Sequence, residues 1–176
     1  NLFKFLCLNP AQSRDTEFLN LQGNLLSEEI PECWRSWTSL KVIRLGSNKL
    51  RGKIPKSIGA LSSLLSLHIQ NNSLTGEIPL SLGNCSTLVS IDLGDNELEG
   101  NIPKWIGERL SRLAIINLRC NKFTGCIPEE LCHLQLLQIL DISHNFLSGN
   151  LPGCVTNFSA MADPSKEDNL GVIYLG

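Results

Sequence analysis

The chain has 176 residues, 18% of them charged, a formal net charge of -2 and a mean hydropathy of +0.03. Lys and Arg are scattered, and no basic stretch interleaves with aromatics, which excludes a nucleic-acid groove. No apolar run reaches the about 18 residues of a membrane span, and Asn1 to Leu8 is too short for one and lacks a cleavage pattern, so any signal peptide or anchor is expected outside this chain.

Residues 1–18 read as an atypical N-terminal segment in which only Phe18 fits the repeat frame of the rest of the chain. Beyond it Asn24, Asn48, Asn72, Asn96, Asn121 and Asn145 recur at intervals of 24, 24, 24, 25 and 24 residues, each followed two residues on by a large apolar side chain. The third unit runs Leu64-x-x-Leu67-x-Ile69-x-x-Asn72-x-Leu74-x-Gly76-x-Ile78-Pro79, and the same frame fits all six. A proline stands seven residues after every one of these asparagines, and a glycine four after all but the first, where Glu28 replaces it. Such a period means a stack of turns. In Leu67-His-Ile69 apolar and polar side chains alternate, which predicts one short strand per turn. Stacked turns make a parallel sheet with strands about 4.8 Å apart. The asparagine that closes each strand can satisfy backbone groups of its own and the neighbouring turn. The one extra residue, Glu108 or Arg109, is expected to enlarge a connecting turn and spare the core. A single turn cannot fold alone and the ends need caps. Neither end shows one: residues 154–176 leave the repeat and become polar from Asp163 to Asp168.

The period assigns each residue to a column. Four positions before the asparagines, on the solvent side, stand Asn20, Arg44, His68, Asp92, Asn117 and Asp141; two before them stand Gln22, Gly46, Gln70, Gly94, Arg119 and Ser143. Positions six before, one before and one after are also expected to face solvent. Arg44, His68, Gln70, Asp92, Asn117, Arg119 and Asp141 are the candidate ligand-binding residues, with hydrogen-bonding and charged groups to offer a protein or peptide, and Gly46 and Gly94 leave room for close approach. A polar sheet face is equally what any soluble solenoid needs. One position before the asparagine, Asp95, Cys120 and His144 follow one another on consecutive turns. A thiol beside an imidazole begins a nucleophilic site, but this carboxylate lies beyond the cysteine and cannot orient the histidine. No catalytic residue, metal site or cofactor is therefore assigned. His68 and His144, three turns or about 15 Å apart, cannot share a metal.

Seven cysteines leave at least one unpaired. Cys132 and Cys154 are 22 residues apart, two short of a period, which places them on adjacent turns and predicts a disulfide. Cys85 is expected to be a small buried thiol. Cys33 has the phase of Cys154, but the position 22 before it is Ala11, and Cys7 is the only nearby candidate partner. Cys120 and Cys126 belong to one turn, and its curvature decides whether they meet. Trp34, Trp37 and Trp105 are expected on the convex side, covering the edge of the core. Sequons at Asn71, Asn84 and Asn157, taken with the cysteines, point to a secretory route.

Over roughly residues 19–153 this frame resembles the plant-specific class of leucine-rich repeats, found in ectodomains of receptor-like kinases, receptor-like proteins and polygalacturonase-inhibiting proteins. The runs Ile30-Pro-Glu-Cys-Trp34, Leu82-Gly-Asn-Cys85, Glu130-Leu-Cys-His-Leu134 and Leu151-Pro-Gly-Cys-Val-Thr-Asn-Phe-Ser-Ala-Met161 look most like receptor-like proteins. In those proteins a non-repeat island follows the last run, and residues 154–176 would be its start. The resemblance implies an α/β-type leucine-rich repeat solenoid of about six 24-residue repeats: a right-handed superhelix with a parallel concave sheet and a second short sheet around the Gly-x-Ile-Pro segments. It also implies an extracellular, non-enzymatic recognition module that takes a peptide, elicitor or co-receptor on its concave and lateral faces. The alternative is an inhibitor of a secreted cell-wall hydrolase, a family that usually carries disulfide caps at both ends. An ice-binding solenoid would want a flat, repetitive polar row, and these columns are irregular.

Overall fold

The computed structural model describes Cys7, residues 14–156 and the backbone of Val172–Tyr174. In chain order the strands are β1 (Phe18–Asn20), β2 (Val42–Arg44), β3 (Arg51–Lys53), β4 (Ser66–His68), β5 (Ser73–Gly76), β6 (Ser90–Asp92), β7 (Glu97–Asn101), β8 (Ile115–Asn117), β9 (Lys122–Gly125), β10 (Ile139–Asp141), β11 (Phe146–Leu147) and β12 (Val172–Tyr174). They form a long sheet, β1-β2-β4-β6-β8-β10-β12, and a flanking sheet, β11-β9-β7-β5-β3, with every pairing parallel. Strands this short arise because only the middle residue of each, such as Ile43, Leu67 and Ile91, faces the core, while its neighbours face out.

The asparagines stitch the stack together. Asn72 Nδ2 donates to the carbonyls of Ile69 and Gln70 in its own turn and to that of Leu45 in the turn before, at 3.0, 3.2 and 3.1 Å. Its Oδ1 accepts the Leu50 N–H of that preceding turn at 2.9 Å. Asn48, Asn96, Asn121 and Asn145 repeat the pattern. Only a short side chain that both donates and accepts can do this: Asp has no donor and Gln is one methylene too long. Beyond each ladder position the repeat glycine has positive φ, +76° at Gly52 and +85° at Gly100. A side chain of the preceding turn lies over it as well, since a Cβ would stand 2.8 Å from Glu29 Cγ at Gly52 and 2.9 Å from Glu77 Cγ at Gly100. Both conditions call for glycine.

On the far side, Pro55, Pro79 and Pro128 lead into 3-10 helices at Lys56–Ala60, Leu80–Asn84 and Glu129–His133. The fourth turn carries the extra residue, and there the segment becomes one turn of α-helix, α1 (Trp105–Arg109), with Leu110 N–H donating to the Ile106 carbonyl at 3.2 Å. Winding from three to 3.6 residues per turn absorbs the insertion. Between the sheets and these helices runs one core, in which Leu40, Leu64, Leu88, Leu113 and Leu137 are fully buried one above another.

One expectation changes here. Trp34 and Trp37 do not cover the edge of the core: at 1% and 4% exposure they lie inside it, ring centroids 5.7 Å apart. Trp105 is likewise buried. The expected Cys132–Cys154 disulfide is present, and Cys33 pairs with Cys7, the candidate partner, with Cα atoms 5.6 Å apart in both. Val172–Tyr174 pairs in parallel with β10 at the edge of the long sheet. Residues 1–6, 8–13 and 157–171, including the sequon at Asn157, lie outside the described residues, as do Leu175 and Gly176.

Candidate functional site

The long sheet brings the expected column into one row. Arg44, His68, Asp92, Asn117 and Asp141 are register partners on five neighbouring strands, preceded by Asn20 and followed by Tyr174. At the strand spacing of about 4.8 Å they span about 19 Å.

Within this row the residues do two kinds of work. Asn20, Asp92, Asn117 and Asp141 each turn a side-chain oxygen onto the N–H two residues ahead, at 3.0 to 3.1 Å, to Gln22, Gly94, Arg119 and Ser143. These are Asx turns, which shape the strand exit. Asp141 Oδ1 also accepts the Ser143 hydroxyl at 2.6 Å. Arg44 and His68 have no such acceptor, and their side chains are spent otherwise. The Arg44 guanidinium carbon stands 5.7 Å from the Phe18 ring centroid, while His68 Nε2 is 3.0 Å from Ser90 Oγ. Phe18 and Ser90 come from the column six before the asparagine, which the sequence placed on the same face without giving it a role. The i, i+24 arithmetic that assembled the candidate row would have found both contacts if applied diagonally.

Electrostatics set these residues apart too. Burial holds the His68 imidazole below its usual pKa, Arg44 on the next strand pushes it the same way, and Asp92 on the other side opposes. Burial raises Asp92, against the Gly94 N–H, His68 and the Asn117 side chain, with Asp95 adding to the rise. The pair thus sits half-sunk in the sheet, each partner drawn towards its neutral form.

The space expected above Gly46 and Gly94 is taken. A Cβ on Gly46 would stand 2.6 Å from Gln70 Cδ, and one on Gly94 3.0 Å from the Asn117 amide, so these side chains lie over the glycines of the preceding turn. Gln70 Oε1 is buried there without a hydrogen-bond partner. Arg119 remains exposed. Cys120 is a half-buried free thiol and His144 is exposed, both with φ near +50°; no hydrogen bond joins them. Cys126 is also free, so Cys120 and Cys126 do not bridge. Cys85 is buried as expected: its thiol donates to the Ile58 carbonyl at 3.4 Å, and burial pushes its pKa up to about 11. Asn71 and Asn84 are both exposed, Asn71 on the sheet side with Nδ2 donating to Ser47 Oγ at 3.2 Å, Asn84 at the end of a 3-10 helix. Among the described residues no helix is long and apolar enough to cross a membrane.

Leucine-rich repeat family models match residues 16–37, 39–61 and 63–85, and a further one matches 86–147. The chain is similar to the plant peptide hormone receptor RGFR1 in complex with RGF2, at 34% identity and a TM-score of 0.78, over 81% of this chain and 23% of that one. It is similar to a chain of the BIR3–SERK2 complex from Arabidopsis thaliana, at 35% identity and a TM-score of 0.67, over 75% and 69%. A plant ice-binding protein is similar at 32% identity and a TM-score of 0.71, over 76% and 44%. This chain spans between 16% and 23% of the length of three receptor-kinase and hormone-receptor ectodomains that it matches. No curated protein matches it.

Proposed function

Because this chain belongs to the plant leucine-rich repeat family and resembles its receptor ectodomains, we propose that it is an extracellular recognition segment that binds a peptide or a co-receptor across the face of its long sheet. One observation carries the reading. Arg44 and His68 stand in a row whose other members close their own Asx turns, and these two alone put charge and an imidazole on the sheet without serving the backbone. Beside them Gln70 keeps a buried acceptor unpaired, and Arg119 extends the surface two turns along. Asp92, Asn117 and Asp141 contribute their outer lone pairs but are held chiefly by the turn. The two disulfides support a secretory setting.

The test is capture of a panel of secreted plant peptides and co-receptor ectodomains by the immobilised chain. Arg44→Ala and His68→Ala are each expected to weaken the captured partner at least tenfold with an unchanged melting temperature. Equal capture by both variants sinks the sheet-face reading. A second reading is favoured by the disulfides at both end turns, the feature expected of hydrolase inhibitors. A polygalacturonase assay decides it: a recognition segment leaves the enzyme's rate unchanged, whereas dose-dependent inhibition moves the chain to that class.

A further inference from the structure

Lys and Arg, scattered in the sequence, gather into bands once the turns are stacked. Between Cys33 and Gly76 there are seven Lys or Arg and no Asp or Glu, and between Ser57 and Pro103 there is no Lys or Arg at all. Three lysines are answered by a glutamate about one turn away: Lys41 by Glu17, Lys104 by Glu130 and Lys122 by Glu97, at 2.8 to 2.9 Å. On the flanking sheet the second turn gathers three cations without such a partner. Lys49, Arg51 and Lys53 are all exposed and alternate with buried Leu50 and half-buried Gly52, so they share one face of the chain. Among the described residues none of the three has a carboxylate within ion-pair distance. The next turn answers with Ser73 and Thr75, paired to Arg51 and Lys53 in register. Glu29 of the preceding turn bridges Arg51 through the backbone and lays its side chain over Gly52, but its carboxylate forms no ion pair with Arg51 or Lys53. Lys53 stretches along Gly76, its Cγ, Cδ and Cε all 3.3 Å from where a Cβ would be, which holds its ammonium along the sheet.

From this we infer that Lys49, Arg51 and Lys53 form a second binding surface, on the flank, for an extended acidic peptide segment of a partner. Three like charges on alternate residues repel one another, and an unanswered row attracts a polyanion. The spacing favours a peptide. Alternate residues of an extended chain lie about 7 Å apart, and a partner strand with Asp or Glu at every second position repeats that distance. This surface is separate from the long-sheet face, so either can fail without the other.

The probe is a fluorescent ten-residue peptide of alternating Glu and Gly, with its Gln-Gly counterpart as control. The Glu peptide is expected to bind at least tenfold more tightly than the Gln peptide and to weaken steeply between 50 and 300 mM salt, values chosen to bracket about one Debye length of 8 Å. The triple variant Lys49→Gln, Arg51→Gln, Lys53→Gln should lose at least tenfold, while Lys122→Gln, which removes a paired lysine from the same sheet, and Arg44→Ala change binding less than twofold. Circular dichroism melting of the triple variant should match the parent. The inference is overturned if the triple variant binds the Glu peptide as the parent does, if the Lys122→Gln loss equals that of the triple variant, or if polygalacturonate binds at this row while the Glu peptide does not.

Discussion

In the first turn Asn24 is exposed and its side chain reaches only the carbonyls of Leu21 and Gln22 in its own strand, whereas in the fifth Asn121 is 6% exposed, donates to carbonyls of two turns and accepts the Leu98 N–H of the turn before. The residue and its place in the repeat are the same; what differs is reach, since Asn121 ties its turn to the one before and Asn24, among the described residues, bonds only its own strand. Asn24 shapes a turn, while Asn121 replaces water for backbone groups that no other group reaches. The first turn is held instead by the Cys7–Cys33 disulfide, and the last by Cys132–Cys154. Cys7–Cys33 ties the turn whose asparagine lacks cross-turn bonds, whereas Cys132–Cys154 adds a covalent tie where the ladder, at Asn145, is complete.

This difference is open to measurement. Asn121→Ala strands the Leu98 N–H and the carbonyls of Leu93, Leu118 and Arg119, so it should cost about 3 to 5 kcal/mol in urea unfolding, while Asn24→Ala, with its groups open to water, should cost about 0.5 kcal/mol. Equal losses would show that the ladder acts through local turn shape alone. Replacing Cys132 and Cys154 by Ser should cost about 2 to 4 kcal/mol. Hydrogen exchange should then rise in β10 and β11 and stay unchanged in β4 and β6, as expected when turns contact only their neighbours; a uniform rise would break the contrast between covalent ends and bonded middle.

Smaller effects join one turn to the next. Glu32 of the first turn accepts the N–H groups of Lys56 and Ser57 at 2.9 and 2.8 Å, capping the 3-10 helix of the second turn. Burial would raise its pKa, but the Ser57 and Lys56 N–H groups and the Lys56 charge hold it below the usual value of 4.5. Its contribution is therefore present above pH 4.5 and lost as pH falls through the lower folded value. Glu32→Ala should cost about 0.5 to 1 kcal/mol at pH 7 and nothing further in acid; a loss that persists at low pH would assign the effect to packing. His68 has the opposite character. Its folded pKa lies below 6.5, so the unfolded chain binds the proton more readily and stability declines as pH falls through 6.5 towards the folded value. His68→Gln should remove that decline, seen as a smaller drop in melting temperature between pH 7.5 and pH 5 than in the parent.

The ladder, the six short strands and the Cys132–Cys154 bridge were legible because a 24-residue period converts position into place without any knowledge of shape. The split within the sheet row was not. Asp92 and Arg44 stand in the same column, and only the Asx turn shows that one carboxylate faces its own backbone while the guanidinium lies over Phe18. Gly46 and Gly94 read as open space, and the side chains of the following turn fill it, because a missing Cβ is an invitation to whichever neighbour is long enough. Trp34 and Trp37 read as a cover and are core, since spacing alone does not show that the 3-10 segment at Trp34–Ser36 turns their rings inward.

One-dimensional spacing and side-chain chemistry were enough to give the repeat, the inward leucines and the hydrogen-bonding asparagines. Which charges meet emerges only in three dimensions. Ion pairs and the unanswered row of Lys49, Arg51 and Lys53 depend on distances between residues about a full turn apart, and a register of 22 or 23 residues in the flanking sheet against 24 or 25 between repeats of the long one sets those distances.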